Sequence, residues 1–147
     1  MRDRIRPPKG LEEVLDKLKD DKVFETKQKG MMFAAAVGFC LHREEVNTTE
    51  IEQLGEGIRL EYFESQDDVG FIDALAVATR NELSVVASER QEERVDLFQK
   101  YAYLGLKEMK RACYDEKPEY PLYGVLKLID QLDKPESGDL PGLEGLL

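Results

Sequence analysis

Apolar positions along this chain recur mostly every three or four residues, the period of a helix with one dry face. Leu11, Val14, Leu15 and Leu18 fall at i, i+3, i+4 and i+7, while Glu12, Glu13, Lys17 and Lys19 take the wet side, and Pro7, Pro8 and Gly10 punctuate the chain ahead of them. Thr26 then has the chemistry of an N-cap, a hydroxyl that accepts a backbone N–H, for a second helix. That helix carries the uncharged run Met31-Met32-Phe33-Ala34-Ala35-Ala36-Val37-Gly38-Phe39-Cys40-Leu41. Small residues among large ones predict a buried helix whose backbone approaches its neighbours closely. It ends near Leu41, where His42 and Arg43 complement the negative end of the helix dipole.

Thr49 and Glu52 have capping-box spacing and predict a short helix, which Gly55 and Gly57 stop within about two turns. Ile58, Leu60 and Tyr62 alternate with Arg59 and Glu61 at the strand period, with Arg4-Ile5-Arg6 as the available partner; this segment reads equally as a strand or as irregular or helical chain. Ser65 and Asp68 repeat the cap signature ahead of Val69, Ile72, Leu75 and Ala76, in a helix ending near Arg80-Asn81. Ser88 and Gln91 do so again before Val95, Phe98, Ala102, Gly105, Met109 and Ala112, a helix from Glu89 to about Tyr114. After a loop from Asp115 to Tyr120, Pro121 suits the first position of a last helix with Leu122, Val125, Leu126 and Ile129 on one face, closing near Asp133. The expected fold is mainly α: a single compact helical bundle of five to six helices, with room for one short strand pair. Residues 1–133 make a single helical domain with a basic amino-terminal arm, and 134–147 an acidic tail rich in Pro, Gly and Leu that suits a mobile end or a dock onto a partner or second copy.

At 147 residues the chain fits one domain. The eleven-residue apolar run is shorter than the ~18 residues of a membrane span, and no secretory leader pattern is present, so the expectation is a cytoplasmic protein. The net charge of −10 disfavours nucleic acid over most of the surface. Its distribution is uneven: residues 1–9 hold four cations against one anion, leaving about thirteen excess negatives on the rest.

Catalytic constellations are sparse. His42, the one histidine, sits at a helix end as a dipole partner; Cys40 and Cys113 lie in apolar helical patterns as small hydrophobes. There is no Gly-x-Ser-x-Gly, no Walker loop and no Gly-x-Gly-x-x-Gly opening a helix, and the carboxylate pairs are sequence neighbours that cannot face one another. No enzyme activity, metal or cofactor is expected. The residues with binding chemistry are the cations: Arg2, Arg4 and Arg6, which share a side of an extended arm, Lys9 ahead of the first helix, and Lys27 and Lys29 in the first turn of the second, all candidates for DNA phosphate.

The order Arg4-Ile5-Arg6-Pro7-Pro8-Lys9, an amphipathic helix, Val23-Phe24-Glu25-Thr26 and Phe33-Ala34-Ala35-Ala36-Val37-Gly38-Phe39 resembles the Dnd system-associated protein 4 family, linked to DNA phosphorothioation. Ile58-Arg59-Leu60-Glu61-Tyr62-Phe63 and Tyr101-Ala102-Tyr103-Leu104-Gly105-Leu106 are similar too, so the likeness spans residues 2 to 132. The resemblance implies a bacterial or archaeal protein of a defence or restriction locus, where DNA carries sulfur in place of a backbone oxygen. It implies no catalytic residues. With neither cysteine in a reactive setting by sequence, the expected function is a non-catalytic accessory or adaptor subunit that binds other proteins of its locus, with the arm touching DNA. The alternative is a ribbon-helix-helix-like DNA-binding regulator, in which two chains pair their arms, although Pro7 and Pro8 confine such a ribbon to a few residues.

Overall fold

The computed structural model describes residues 1–133; the leucines of 134–147 and the role expected for that tail lie outside the described residues. The elements are β1 (Arg4–Ile5), α1 (Glu12–Asp20), α2 (Lys27–His42), β2 (Ile58–Arg59), α3 (Leu60–Ser65), α4 (Val69–Arg80), α5 (Gln91–Lys110) and α6 (Pro121–Asp133), joined partly by short 3-10 turns. The expected helical fold is therefore present, together with one two-stranded antiparallel sheet.

The α2–α5 pair forms the centre. A Cβ atom on Gly38 would collide with the Tyr101 carbonyl, and one on Gly105 with the Ala34 carbonyl, so the two backbones touch where side chains are missing. Around this seam Met31, Ala34, Val37, Phe98, Tyr101, Ala102 and Met109 are buried. The buried Tyr101 hydroxyl is satisfied: Thr79 Oγ1 gives its proton to the Leu75 carbonyl and so accepts from Tyr101 at 2.7 Å. Phe98 receives Phe63 and Phe71 edge-on, tying α3 and α4 to α5. The apolar run is not buried throughout. Phe33 and Phe39 are half-covered and packed against the core, while Cys40 faces solvent.

Thr26 caps α2 as expected, its Oγ1 accepting from the Lys29 amide at 3.2 Å. The three capping boxes further along do not form, because other partners claim their side chains, the preceding turn for Thr49 and Ser65 and distant elements for Asp68 and Gln91. Thr49 donates to the Glu45 carbonyl and finishes the turn Arg43–Thr48, so no helix starts there. Ser65 donates back to Tyr62, and Asp68 turns its carboxylate to Gln28 and Lys29 on α2. Ser88 opens a 3-10 turn, and Gln91 reaches across to the arm.

The alternating segment is a strand for two residues only. Ile58 and Arg59 pair with Ile5 and Arg4, after which the chain coils into α3. Gly57 at φ +78° makes the turn before β2, where a Cβ would strike the Ile5 carbonyl. The long helix reaches as far as its periodicity suggests but changes pitch: α5 stops at Lys110, and one π turn, Arg111–Asp115, carries it on and buries Ala112 and Cys113. In α6 the expected single face splits. Val125 packs inward with Leu128, whereas Leu122, Leu126 and Ile129 face out.

Candidate functional site

Among the described residues, two surfaces with unspent binding chemistry stand out, the amino-terminal arm and the outer face of α6. The arm is built into the fold on both sides. On one side, besides the β1–β2 pair, the Gly55 amide donates to the Pro7 carbonyl at 2.7 Å and the Lys9 amide to Gln53 at 2.9 Å. On the other, two glutamines of α5 hold the arm's backbone. Gln91 accepts from the Arg2 amide and donates to the Arg2 carbonyl, both at 2.9 Å, and Gln99 accepts from the Arg6 amide at 2.7 Å.

This anchoring separates the six cations singled out by sequence. Arg2 pairs with Asp96 at 3.3 Å. Arg6 spends its guanidinium on backbone, donating from Nε to the Gly55 carbonyl at 2.7 Å and from Nη2 to Leu54 at 3.2 Å. Lys27 lies between Glu12 and Asp16 at 3.3 and 3.0 Å; burial lowers its pKa, but the hydrogen bonds to these carboxylates outweigh that and hold it above the ordinary lysine value. Lys29 pairs with Asp68 at 2.8 Å. Only Arg4 and Lys9 keep side chains with no partner among the described residues. Lys27 and Lys29 thus serve to close α2 onto α1 and α4, and do not join the arm.

One residue of this surface was not singled out by sequence. Arg59 stands directly opposite Arg4 in the ladder, and its own partner is Glu61 at 3.2 Å, in an exposed pair. Its signal was the alternation that predicted β2; what could not be read was the register. Two open depressions flank Arg4: one of about 470 Å³ with Arg2, Arg6 and Glu56 on its walls, one of about 380 Å³ with Arg59, Glu61 and Glu64.

The second surface is the outer side of α6. Leu122, Tyr123, Leu126 and Ile129 are 45, 49, 50 and 40% exposed, with Tyr120 beside them edge-on to Tyr123. Their i, i+4, i+7 spacing makes a continuous stripe, and large apolar side chains gathered in one stripe mark a docking face more than a solvated one.

Other titratable groups make contacts within the fold. His42 bridges Glu45 (3.1 Å) and Glu108 (2.9 Å), bracing the end of α2 against α5. Burial lowers its pKa, and the hydrogen bonds to Glu108 and Glu45 outweigh it, holding the imidazole above its usual value. Glu93 is held down to about 2 by the Arg90 and Arg80 guanidiniums. Burial lifts the Cys113 thiol to about 11. Among the described residues no three His, Cys, Asp or Glu side chains gather as metal ligands, and no helix is long and apolar enough to cross a membrane.

Comparison with known proteins finds one family model, DNA sulphur modification system-associated protein 4, matching residues 4–139. No curated protein and no solved structure matches the chain.

Proposed function

The chain belongs to the DNA sulphur modification system-associated protein 4 family, and from that membership we propose that it is a non-catalytic adaptor subunit of a DNA phosphorothioation-linked defence or restriction system in the cytoplasm. It binds other proteins of its locus through the outer face of α6, and its arm meets DNA at the phosphate backbone. The observation that carries this reading is the α6 stripe, in which three aliphatic side chains and one tyrosine stay 40–50% exposed on a helix whose opposite face is already buried. Burying a Leu or Ile side chain fully is worth about 1.5–3 kcal/mol, so a matching groove gains several kcal/mol from this stripe alone. The acidic body adds a preference for a partner groove with a basic rim.

The family description, system-associated, supports an accessory role. The regulator alternative draws less support, because β1 takes its partner from the same chain.

The test is co-expression with the other proteins of the native locus, followed by affinity capture through this subunit. Capture of an identified locus protein by the wild type, lost in L126E/I129E with the fold intact, supports the adaptor role. Capture that survives both substitutions, or absence of every locus protein, rejects it.

A further inference from the structure

We propose that Arg4 and Arg59, set side by side by the register of β1 and β2, form a receptor for a backbone phosphate of duplex DNA. The proposal rests on the part of the reading above that brings the arm to DNA, and it names the residues that make the contact.

Residues opposed in an antiparallel ladder project from the same face with Cβ atoms about 4.5–5.5 Å apart, and like charges in that position repel. The register cannot slip to relieve this, because Ile5, fully buried beside Arg4, would turn out to solvent if it did. Arg4 has no carboxylate or other partner among the described residues. The Arg59–Glu61 pair is exposed on both sides, and pairs of that kind contribute little. An anion between the two guanidiniums removes the repulsion and is gripped by planar forks that fit phosphate oxygens two at a time. The depressions on either side leave Arg4 open to a ligand, with Asp3, Glu56, Glu61 and Glu64 also on their walls.

With four cations against one anion in residues 1–9 of an acidic chain, the arm is the segment that repels a nucleic-acid strand least. The acidic body turns duplex DNA away elsewhere, so an encounter is steered to the arm. Arg2, Lys27 and Lys29 are occupied by Asp96, by Glu12 with Asp16, and by Asp68. The contact is therefore narrow, with few phosphates and weak affinity in isolation.

The experiment measures binding of the full chain to a short fluorescent duplex from about 50 to 200 mM salt, where each phosphate contact contributes about 0.9 to the slope of log K against log salt. Replacing both residues, R4A/R59A, removes the one phosphate contact and lowers that slope by about one, and R59A alone weakens binding and lowers it by up to about one. K27A/K29A leaves it unchanged. R59A, at an exposed position, covers the case in which the double variant does not fold. A wild type that ignores the duplex at about 50 mM salt overturns the proposal, as does an unchanged slope in R59A or R4A/R59A. Inorganic phosphate displacing the duplex at equal phosphate concentration also overturns it, since the pair then takes small anions. Capture of locus proteins is measured on the same variants: capture retained with an unchanged slope removes the phosphate receptor and leaves the adaptor reading standing.

Discussion

Gly38 of α2 and Gly105 of α5 lie face to face, so that a Cβ atom on Gly38 would stand 3.2 Å from the Gly105 amide nitrogen. Contact between two backbones joins the centre of this molecule, and it sets opposite signs on two effects of substitution. Helix propensity alone makes Gly→Ala stabilising by about 1 kcal/mol. The collisions with the Tyr101 and Ala34 carbonyls make it destabilising, by about 1–3 kcal/mol if the helices separate to accept a methyl group. G38A and G105A should each lower the urea midpoint; a raised midpoint in either contradicts the packing.

Arg94 is buried on α5 yet fully engaged, with Asp73 at 2.9 Å and the Val85 and Ala87 carbonyls at 2.7 Å. It fixes the turn Leu83–Val86 to the core. Its removal takes the donor from the Val85 carbonyl and the Asp73 carboxylate, while the Ala87 carbonyl keeps the Arg90 amide, and R94A should cost about 3–5 kcal/mol in equilibrium unfolding. An effect below about 1 kcal/mol, the range of exposed pairs, would place Arg94 outside the core network.

His42 gives a pH dependence of defined sign. Its folded pKa is raised by Glu108 and Glu45, so the stability it contributes is fully present below the unfolded value of 6.5 and is lost as pH rises through the folded value. As the chain's one histidine, it gives a single imidazole signal in an NMR titration. That signal should titrate above 6.5 in the wild type and move down in E108Q, with the Tm difference between wild type and H42N shrinking toward alkaline pH.

The two thiols should separate cleanly. Burial raises both thiols, but Cys40 faces solvent, whereas Cys113 is buried in the π turn with its pKa lifted to about 11. Iodoacetamide at neutral pH should label one cysteine in the folded protein and both after denaturation, and C40S should abolish native labelling. Fast native labelling of Cys113 would mean that the π turn opens readily.

What was legible in the sequence followed how local each cause was. The periodicity of Leu11 to Leu18, the Thr26 cap and Pro121 at the start of α6 rest on neighbours, and the structure keeps them; the strand at Ile58-Arg59, one of two equal readings, forms for two residues only. The three unformed capping boxes lost their side chains to competing acceptors and donors, two of them far along the chain and the others in the turn just before. Asp68 went to α2, Gln91 to Arg2, and Thr49 to the preceding turn. The same competition divided the candidate cations. Spacing shows that Lys27 and Lys29 are basic, but not that Asp16 and Asp68 will meet them. Arg59 was missed because a charge gains meaning there from a residue 55 positions away. The outward turn of Leu126 and Ile129 was hidden for a related reason, since α6 is apolar on both sides and periodicity cannot choose between them.

The glutamine clamps on the arm also act as a pair of matched rulers. Gln91 and Gln99 are eight residues apart on a helix, about 12 Å of rise, and they grip Arg2 and Arg6, four residues of extended chain and about 13 Å. The two pitches agree over this interval and would fall out of step if either were lengthened. A single inserted residue between Arg2 and Arg6 should therefore release one clamp and turn Arg4 to the opposite face, while conservative replacements leave the fit in place. The spacing of the amino terminus, more than its composition, keeps its free charge pointed outward.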